Sequence, residues 1–524
     1  MTTPNSEART PNPNAGTVWL VGAGPGDPDL ITVAGLKALR DADVVVYDRL
    51  AAPALLREAR ADTLLIDAGK APGAHTLGQA GINAVLAEHA LAGRMVVRLK
   101  GGDPFMFGRG GEEALHLVER GIPFRVVPGV TSAVAAPGFA GIPVTHRGVA
   151  GSLLIATGHE SADSASESMN WPALAGAADT LVFLMGVERL EGITSRLIEA
   201  GRPAAQPAAL VRWGSTPEQQ VVSATLGTIV DTARASGIRP PAALVVGEVV
   251  RLREHLAWFE SLPLFGARVL VTRTREQASG LAARLRELGA IPLEFPAIAT
   301  EPLADSTRLD AALRHLPDQE WAVFTSQNGV SAVLDRLDAL DLDLRAFAGV
   351  RIVAVGPATA RVLRARGLRA DLVPEAFSGA GIVQAMTVIG VSGARVILFQ
   401  PDIAPPDLQD GLRAAGADVL RVAAYQTVGG PGRRAELERL LANGVDGVTL
   451  TSSSTVTHLL AALDGDRTPL DGALVASIGP MTSAAARAAG LPVDVEADQH
   501  TIDGLIDALC QAWRDQARTK ESVR

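Results

Sequence analysis

Short aliphatic runs alternate with Ala-, Leu- and Arg-rich stretches of helical period along nearly the whole chain. Val18–Val21, Val44–Tyr47, Met95–Leu99, Leu181–Leu184 and Ala243–Val246 are such runs. Runs apolar on both faces are strands buried on both sides, and with helices between them they predict an α/β protein built on mostly parallel sheets. After Arg253 a helical stretch ends at the connector Leu262–Phe265, which contains Pro263, and a new strand begins beyond Gly266. A boundary near 262 follows, giving units over 17–262 and 263–515. Met1–Gly16, rich in Pro, Asn, Thr and Ser, is expected to be a disordered tail, as is 516–524.

The second unit repeats itself. The strand Arg268–Thr272 and its helix to Gly289–Ala290 recur 127 residues on as Arg395–Phe399 and Gly416–Ala417. Phe324–Thr325–Ser326 recurs as Leu450–Thr451–Ser452, and Val355–Gly356–Pro357–Ala358–Thr359 as Ile478–Gly479–Pro480–Met481–Thr482. Three elements in one order at near-constant offset predict two similar α/β lobes with a ligand cleft between them.

Composition narrows the function. With 524 residues the chain exceeds one ordinary core, and only 4% of it is aromatic, so the cores are aliphatic. The single cysteine, Cys510, allows neither an intrachain disulfide nor a cysteine metal cluster, which points to a reducing, cytoplasmic compartment and no bound metal. Charge, Gly or Pro interrupts every hydrophobic stretch, so no membrane span is expected. A net charge of −9 without a basic run leaves no footprint of nucleic-acid binding, and anionic ligands must be met by individually placed Arg and Lys.

The strand ends carry the candidate chemistry, since open α/β sheets bind ligands there. Gly22–Ala23–Gly24–Pro25–Gly26–Asp27 follows the first strand, but Asp27 stands where a dinucleotide fingerprint needs glycine, and an acid there repels phosphate. Tyr47–Asp48–Arg49–Leu50 ends the second strand, and Lys100–Gly101–Gly102–Asp103–Pro104–Phe105–Met106 leads into Phe107–Gly108–Arg109–Gly110–Gly111–Glu112–Glu113. Further on come Pro128–Gly129–Val130–Thr131–Ser132 and Gly141–Ile142–Pro143–Val144–Thr145–His146–Arg147. Asp48 taken alone reads first as a cap of the following segment. Glu160–Asn170, Ser-rich and acidic, reads as a surface insertion.

With Lys70, His75, Gln79 and Asn83, these motifs from Thr17 to Phe259 closely resemble the uroporphyrinogen-III C-methyltransferases of the tetrapyrrole methylase family. The resemblance implies two lobes with S-adenosylmethionine in the cleft between them, and an association of two copies is common in the family. It implies cofactor contacts from Pro25, Gly101, Gly102, Asp103, Met106, Thr131, Ser132, Met185 and Gly214. It further implies Asp48 as proton acceptor and Lys70 as proton donor, with Arg49, Arg109, His146 and Arg147 facing the substrate's carboxylate arms. These types suit the reaction. Methylating a pyrrole carbon creates a cation that a carboxylate stabilises, and guanidinium forks match carboxylates.

In the second unit, paired Thr-Ser and Gly-Pro-x-Thr turns place hydroxyls and backbone N–H groups at four helix starts, suited to anions and also to ordinary capping. With Val271–Thr272–Arg273 and Ala424–Tyr425–Gln426–Thr427 they resemble uroporphyrinogen-III synthase from Gly266 to Trp513. That resemblance implies two flavodoxin-like lobes, one inserted in the other, cyclising linear hydroxymethylbilane with loss of water and no cofactor. Tyr425 would assist departure of the hydroxyl, and Thr325, Ser326, Thr359, Thr451, Ser452 and Thr482 would bind substrate. Many relatives carry an Arg- and Gly-containing turn where this chain has Gln400–Pro401–Asp402. Together the halves imply two consecutive steps towards sirohaem and cobalamin, hydroxymethylbilane to uroporphyrinogen III and then to precorrin-2. A non-catalytic, tetrapyrrole-binding second half is the alternative, against which Tyr425 speaks.

Overall fold

A computed structural model describes residues 12–69, 78–158, 169–272, 275–295, 299–428 and 434–522. The insertion expected at 160–170 lies almost wholly outside them. The chain divides into two compact units, one running to Ala267 and including Arg286–Ile291, the other comprising Arg268–Leu285 and everything from Pro292. The division thus falls beyond 262. Leu264 and Ala267 are buried, and Phe265 packs edge-on against Phe259 with ring centroids 5.4 Å apart.

The first unit has two five-stranded sheets. β1 (Val18–Gly22), β2 (Val44–Tyr47), β3 (Leu64–Asp67), β4 (Val96–Lys100) and β5 (Phe124–Val127) form a parallel sheet in the order β3-β2-β4-β1-β5. β6 (Leu153–Thr157), β7 (Thr180–Leu184), β8 (Pro207–Arg212), β9 (Gln220–Thr225) and β10 (Ala242–Val246) form the second, ordered β6-β7-β10-β8-β9. Only its β6–β7 pair is parallel, because β10 runs against both β7 and β8, and β9 against β8. Asn12–Gly16, expected in a tail, is tied down instead: Asn12 donates its N–H to the Gly121 carbonyl and Gly16 to that of Ala90. A Cβ on Gly16 would lie 2.0 Å from the Arg94 carbonyl oxygen, so the chain enters the sheet pressed against backbone.

The second unit holds the repeat. β11 (Arg268–Val271) and β12 (Ile291–Glu294) precede β13 (Ala299–Glu301), β14 (Trp321–Phe324), β15 (Arg351–Ala354), β16 (Arg395–Pro401) and β17 (Asp418–Val428). β18 (Gly447–Leu450), β19 (Leu474–Ser477) and β20 (Val495–Glu496) complete it. One sheet runs β12-β11-β18-β19-β20, the other β13-β17-β16-β14-β15. Matching β12 to β17, β11 to β16, β18 to β14 and β19 to β15 superposes the two orders, which is the repeat seen in sequence. The lobe of β13 to β17 is therefore inserted between the strands of the other. A final helix extends from Ile502 to Ser522, so the backbone at 516–522 is helical rather than a disordered tail. No described helix is long and apolar enough to cross a membrane.

Candidate active sites

In the order β4-β1-β5 the loops leaving three adjacent strands converge, and glycine is what lets them meet. A Cβ on Gly129 would stand 2.2 Å from the Gly102 carbonyl oxygen, so backbone packs directly on backbone. Gly102 itself has φ of +68°, a conformation that side chains disfavour. Asp103 staples the arrangement: its Oδ1 accepts from the N–H of Phe105 (2.8 Å) and Met106 (3.1 Å), and its Oδ2 from that of Gly129 (2.9 Å). Its carboxylate is thus engaged by loop backbone.

These loops wall a cavity of about 450 Å³. Pro25, Gly101, Gly102, Asp103, Met106, Thr131, Ser132, Met185 and Gly214, all singled out from sequence, line it together. The lining brings in Leu50 and Phe107 of the strand-end motifs, to which the sequence assigns no role, and Trp213, which sequence reasoning passed over. Phe107, Met185 and Trp213 all have positive φ, at +54°, +55° and +49°. Non-glycine backbone in that region costs energy and collects at ligand sites. Thr131 caps the helix Ser132–Phe139 by accepting from the Ala133 N–H, and so points a helix start at the cavity. Asp27 caps the short turn Pro28–Leu30, and the first α-helix starts only at Val33, so the glycine loop offers no helix N-terminus to a pyrophosphate.

Asp48 stands at the end of β2, two residues before Leu50 of the lining. It does not cap a helix. Its Oδ1 accepts from Arg98 Nη2 at 2.5 Å, and behind that pair lies a buried charge cluster that sequence reasoning missed. Glu113 Oε1 accepts from Arg98 Nε (3.1 Å), Lys100 Nζ (2.8 Å) and Gln79 Nε2 (3.3 Å), while Glu113 Oε2 is buried without a hydrogen-bond partner among the described residues. Burial pushes the Lys100 ammonium below the ordinary lysine range, the Arg98 charge adds to this, and Glu113 opposes it. The signal was present in the sequence: Arg98 and Lys100 occupy alternate positions of a strand that is buried along its whole length, and charges there need partners. Lys70 and His75 lie outside the described residues. Arg49, Arg109, His146 and Arg147 are exposed and absent from the cavity lining, and Arg109 is held by Glu112 through bonds of 2.9 and 2.7 Å.

In the second unit, both Thr-Ser turns start helices. Ser326 caps Gln327–Ala339 by accepting from the Gly329 N–H, and Ser452 caps Ser453–Ala462 in a reciprocal box with Thr455. Thr325 donates to the Phe399 carbonyl at 3.3 Å, and Thr451 is half-buried. Thr359 and Thr482, which the resemblance assigns to substrate, are buried in the first turns of Pro357–Ala365 and Pro480–Ala488. Three residues into a helix, a side chain faces inward when the helix packs on that side. Tyr425 is buried on β17, its hydroxyl 3.1 Å from Ser326 Oγ. Gln400 and Pro401 close β16 with a register shift between them, Pro401 standing opposite Tyr425 and Asp402 lying just beyond the strand.

Two families match. The tetrapyrrole (corrin/porphyrin) methylases cover residues 17–230, and uroporphyrinogen-III synthase HemD covers 279–507. A porphyrin biosynthesis protein HemD of Ruminiclostridium josui is 39% identical over 497 residues, 95% of this chain and 98% of its own. A uroporphyrinogen-III C-methyltransferase of Priestia megaterium is 51% identical over 235 residues, 45% of this chain and 98% of its own. A solved uroporphyrin-III C-methyl transferase of Thermus thermophilus, complexed with S-adenyl homocysteine, is 41% identical and covers 45% of this chain and 100% of its own, with a TM-score of 0.39. Identity along nearly all of one relative, and over the first half along nearly all of another, classifies the chain: it belongs to the tetrapyrrole methylases through its first half and to the uroporphyrinogen-III synthases through its second.

Proposed function

We infer that the chain carries two consecutive enzymes of tetrapyrrole biosynthesis. The second unit is a uroporphyrinogen-III synthase that closes hydroxymethylbilane with loss of water, and the first is an S-adenosylmethionine-dependent methyltransferase that converts the product to precorrin-2. Catalytic order is thus the reverse of chain order.

The observation that carries the methyltransferase reading is the convergence of residues from Pro25 to Gly214 on one cavity. Its residues fit S-adenosylmethionine. Backbone at Gly101 and Gly102 leaves room that side chains would fill, the start of helix Ser132–Phe139 offers N–H donors, and Leu50, Met106, Met185 and Trp213 supply apolar surface. Bound there, the cofactor supplies an electrophilic methyl group. Asp48, oriented by Arg98, stands ready to stabilise the cationic macrocycle and to accept the proton that leaves it. Arg49, Arg109 and Arg147, together with His146, are exposed, and guanidinium forks suit the carboxylate arms. For the synthase reading, Tyr425 assists departure of the hydroxyl, with Thr325, Thr451 and Ser452 near the substrate's arms.

Incubation with methyl-labelled S-adenosylmethionine and uroporphyrinogen III tests the first assignment. Label is expected in a product carrying two added methyl groups; unlabelled macrocycle after many equivalents of enzyme would overturn it.

A further inference from the structure

Ser326 is placed to do more than cap a helix. Its Oγ accepts from the Gly329 N–H at 3.0 Å and lies 3.1 Å from the Tyr425 hydroxyl. The helix it caps runs thirteen residues, Gln327–Ala339, with its positive end at that oxygen. With one lone pair of Oγ taken by the Gly329 N–H, the serine's own hydrogen is free to be given to the phenol oxygen. Burial raises the Tyr425 phenol above the ordinary tyrosine range and the Asp402 carboxylate adds to that, whereas the Ser326 hydrogen bond acts in the opposite direction. The resting phenol therefore holds its proton, and Ser326 is the group that eases its release.

We propose that Ser326 is a positioning residue for Tyr425, donating its hydroxyl hydrogen to the phenol oxygen so that the Tyr425 O–H points outward to the leaving hydroxyl of the substrate. The inference rests on the reading of the second unit as a synthase in which Tyr425 assists that departure. The Tyr425 proton passes to the hydroxyl, the C–O bond breaks with its electron pair going to oxygen, and water leaves. Positive charge remains on the pyrrole methylene, and negative charge on the phenol oxygen is held by the Ser326 O–H and, through it, by the helix start. The phenolate recovers a proton when the closed macrocycle sheds one from ring carbon.

The test uses the full chain with Ser326→Gly, Ser326→Thr and, as a control, Tyr425→Phe, each assayed for uroporphyrinogen III formation from hydroxymethylbilane. Glycine is nearly as good a cap as serine, so Ser326→Gly keeps the helix start and loses only the hydroxyl. It is expected to melt close to wild type and to lose about 10- to 100-fold in kcat with KM little changed, the worth of a hydrogen bond to a charged group. Ser326→Thr, which restores a hydroxyl, is expected within about threefold of wild-type kcat. Wild-type kcat in Ser326→Gly, a change confined to KM, or an equal loss in Ser326→Thr would overturn the proposal. Wild-type kcat in Tyr425→Phe would instead overturn the role of the tyrosine on which it rests.

Discussion

Asp48→Asn is nearly isosteric, yet it removes one charge from a set of four that includes the almost fully buried Arg98, Lys100 and Glu113. Removing one partner from a fully buried pair typically costs about 3–5 kcal/mol. Here the cost is smaller, for three reasons: the Asp48 side chain is 34% exposed, Arg98 keeps Glu113, and the asparagine oxygen still accepts from Nη2. About 1–2 kcal/mol is expected, which for a unit of this size lowers Tm by about 2–8 °C. If Asp48 acts on the methylated cation, the rate falls far more, about 10²-fold or beyond, while cofactor affinity holds. Single-turnover methylation of uroporphyrinogen III at 25 °C, run beside calorimetry with S-adenosylmethionine and a thermal melt, separates the two effects. A rate within about threefold of wild type would remove Asp48 from the chemistry and leave it a purely structural partner of Arg98. Loss of cofactor affinity in parallel with rate would show that the charge cluster shapes the cavity instead.

Gly102 separates backbone strain from steric filling. Gly102→Ala places a Cβ 3.9 Å from its nearest neighbours and costs about 1–2 kcal/mol for its positive φ, so calorimetry should still detect S-adenosylmethionine; Gly102→Arg should abolish binding while uroporphyrinogen III formation persists. Asp179 gives a pH signature. Hydrogen bonds from the Ser152 hydroxyl and the Gly151 and Ser152 N–H groups hold its carboxyl below the usual range, so its contribution is full above the unfolded value of 3.8 and is lost as pH falls through the lower folded one. Urea unfolding of Asp179→Asn should therefore differ from wild type at neutral pH and converge with it at acid pH; a constant difference would contradict this.

The repeat of the second unit was legible because strand, turn and cap chemistry recur together: Ser326 and Ser452 cap equivalent helices, and both Gly-Pro turns open helices with proline in the first turn. Strand direction was less legible. β7, β8 and β10 are apolar on both faces, which signals burial but not whether a neighbour runs parallel or antiparallel, and the second sheet is mixed. The cavity residues were named through the family resemblance, which the glycine-rich strand-end loops carried, but their partners were not legible. Asp103 is satisfied by the N–H of Gly129, and Asp48 by a guanidinium two strand positions from Lys100, contacts made only when β2, β4 and β5 assemble. Thr359 and Thr482 read as ligand hydroxyls, and whether an early helical position faces solvent or core depends on packing that local sequence does not encode.

Purified full-length protein given hydroxymethylbilane provides the most direct test of two consecutive enzymes in one chain. Without S-adenosylmethionine the product should be uroporphyrinogen III and should accumulate; with it, the same mixture should yield precorrin-2. Uroporphyrinogen III that forms but is never methylated, or methylation only of uroporphyrinogen III supplied from outside, would contradict the account.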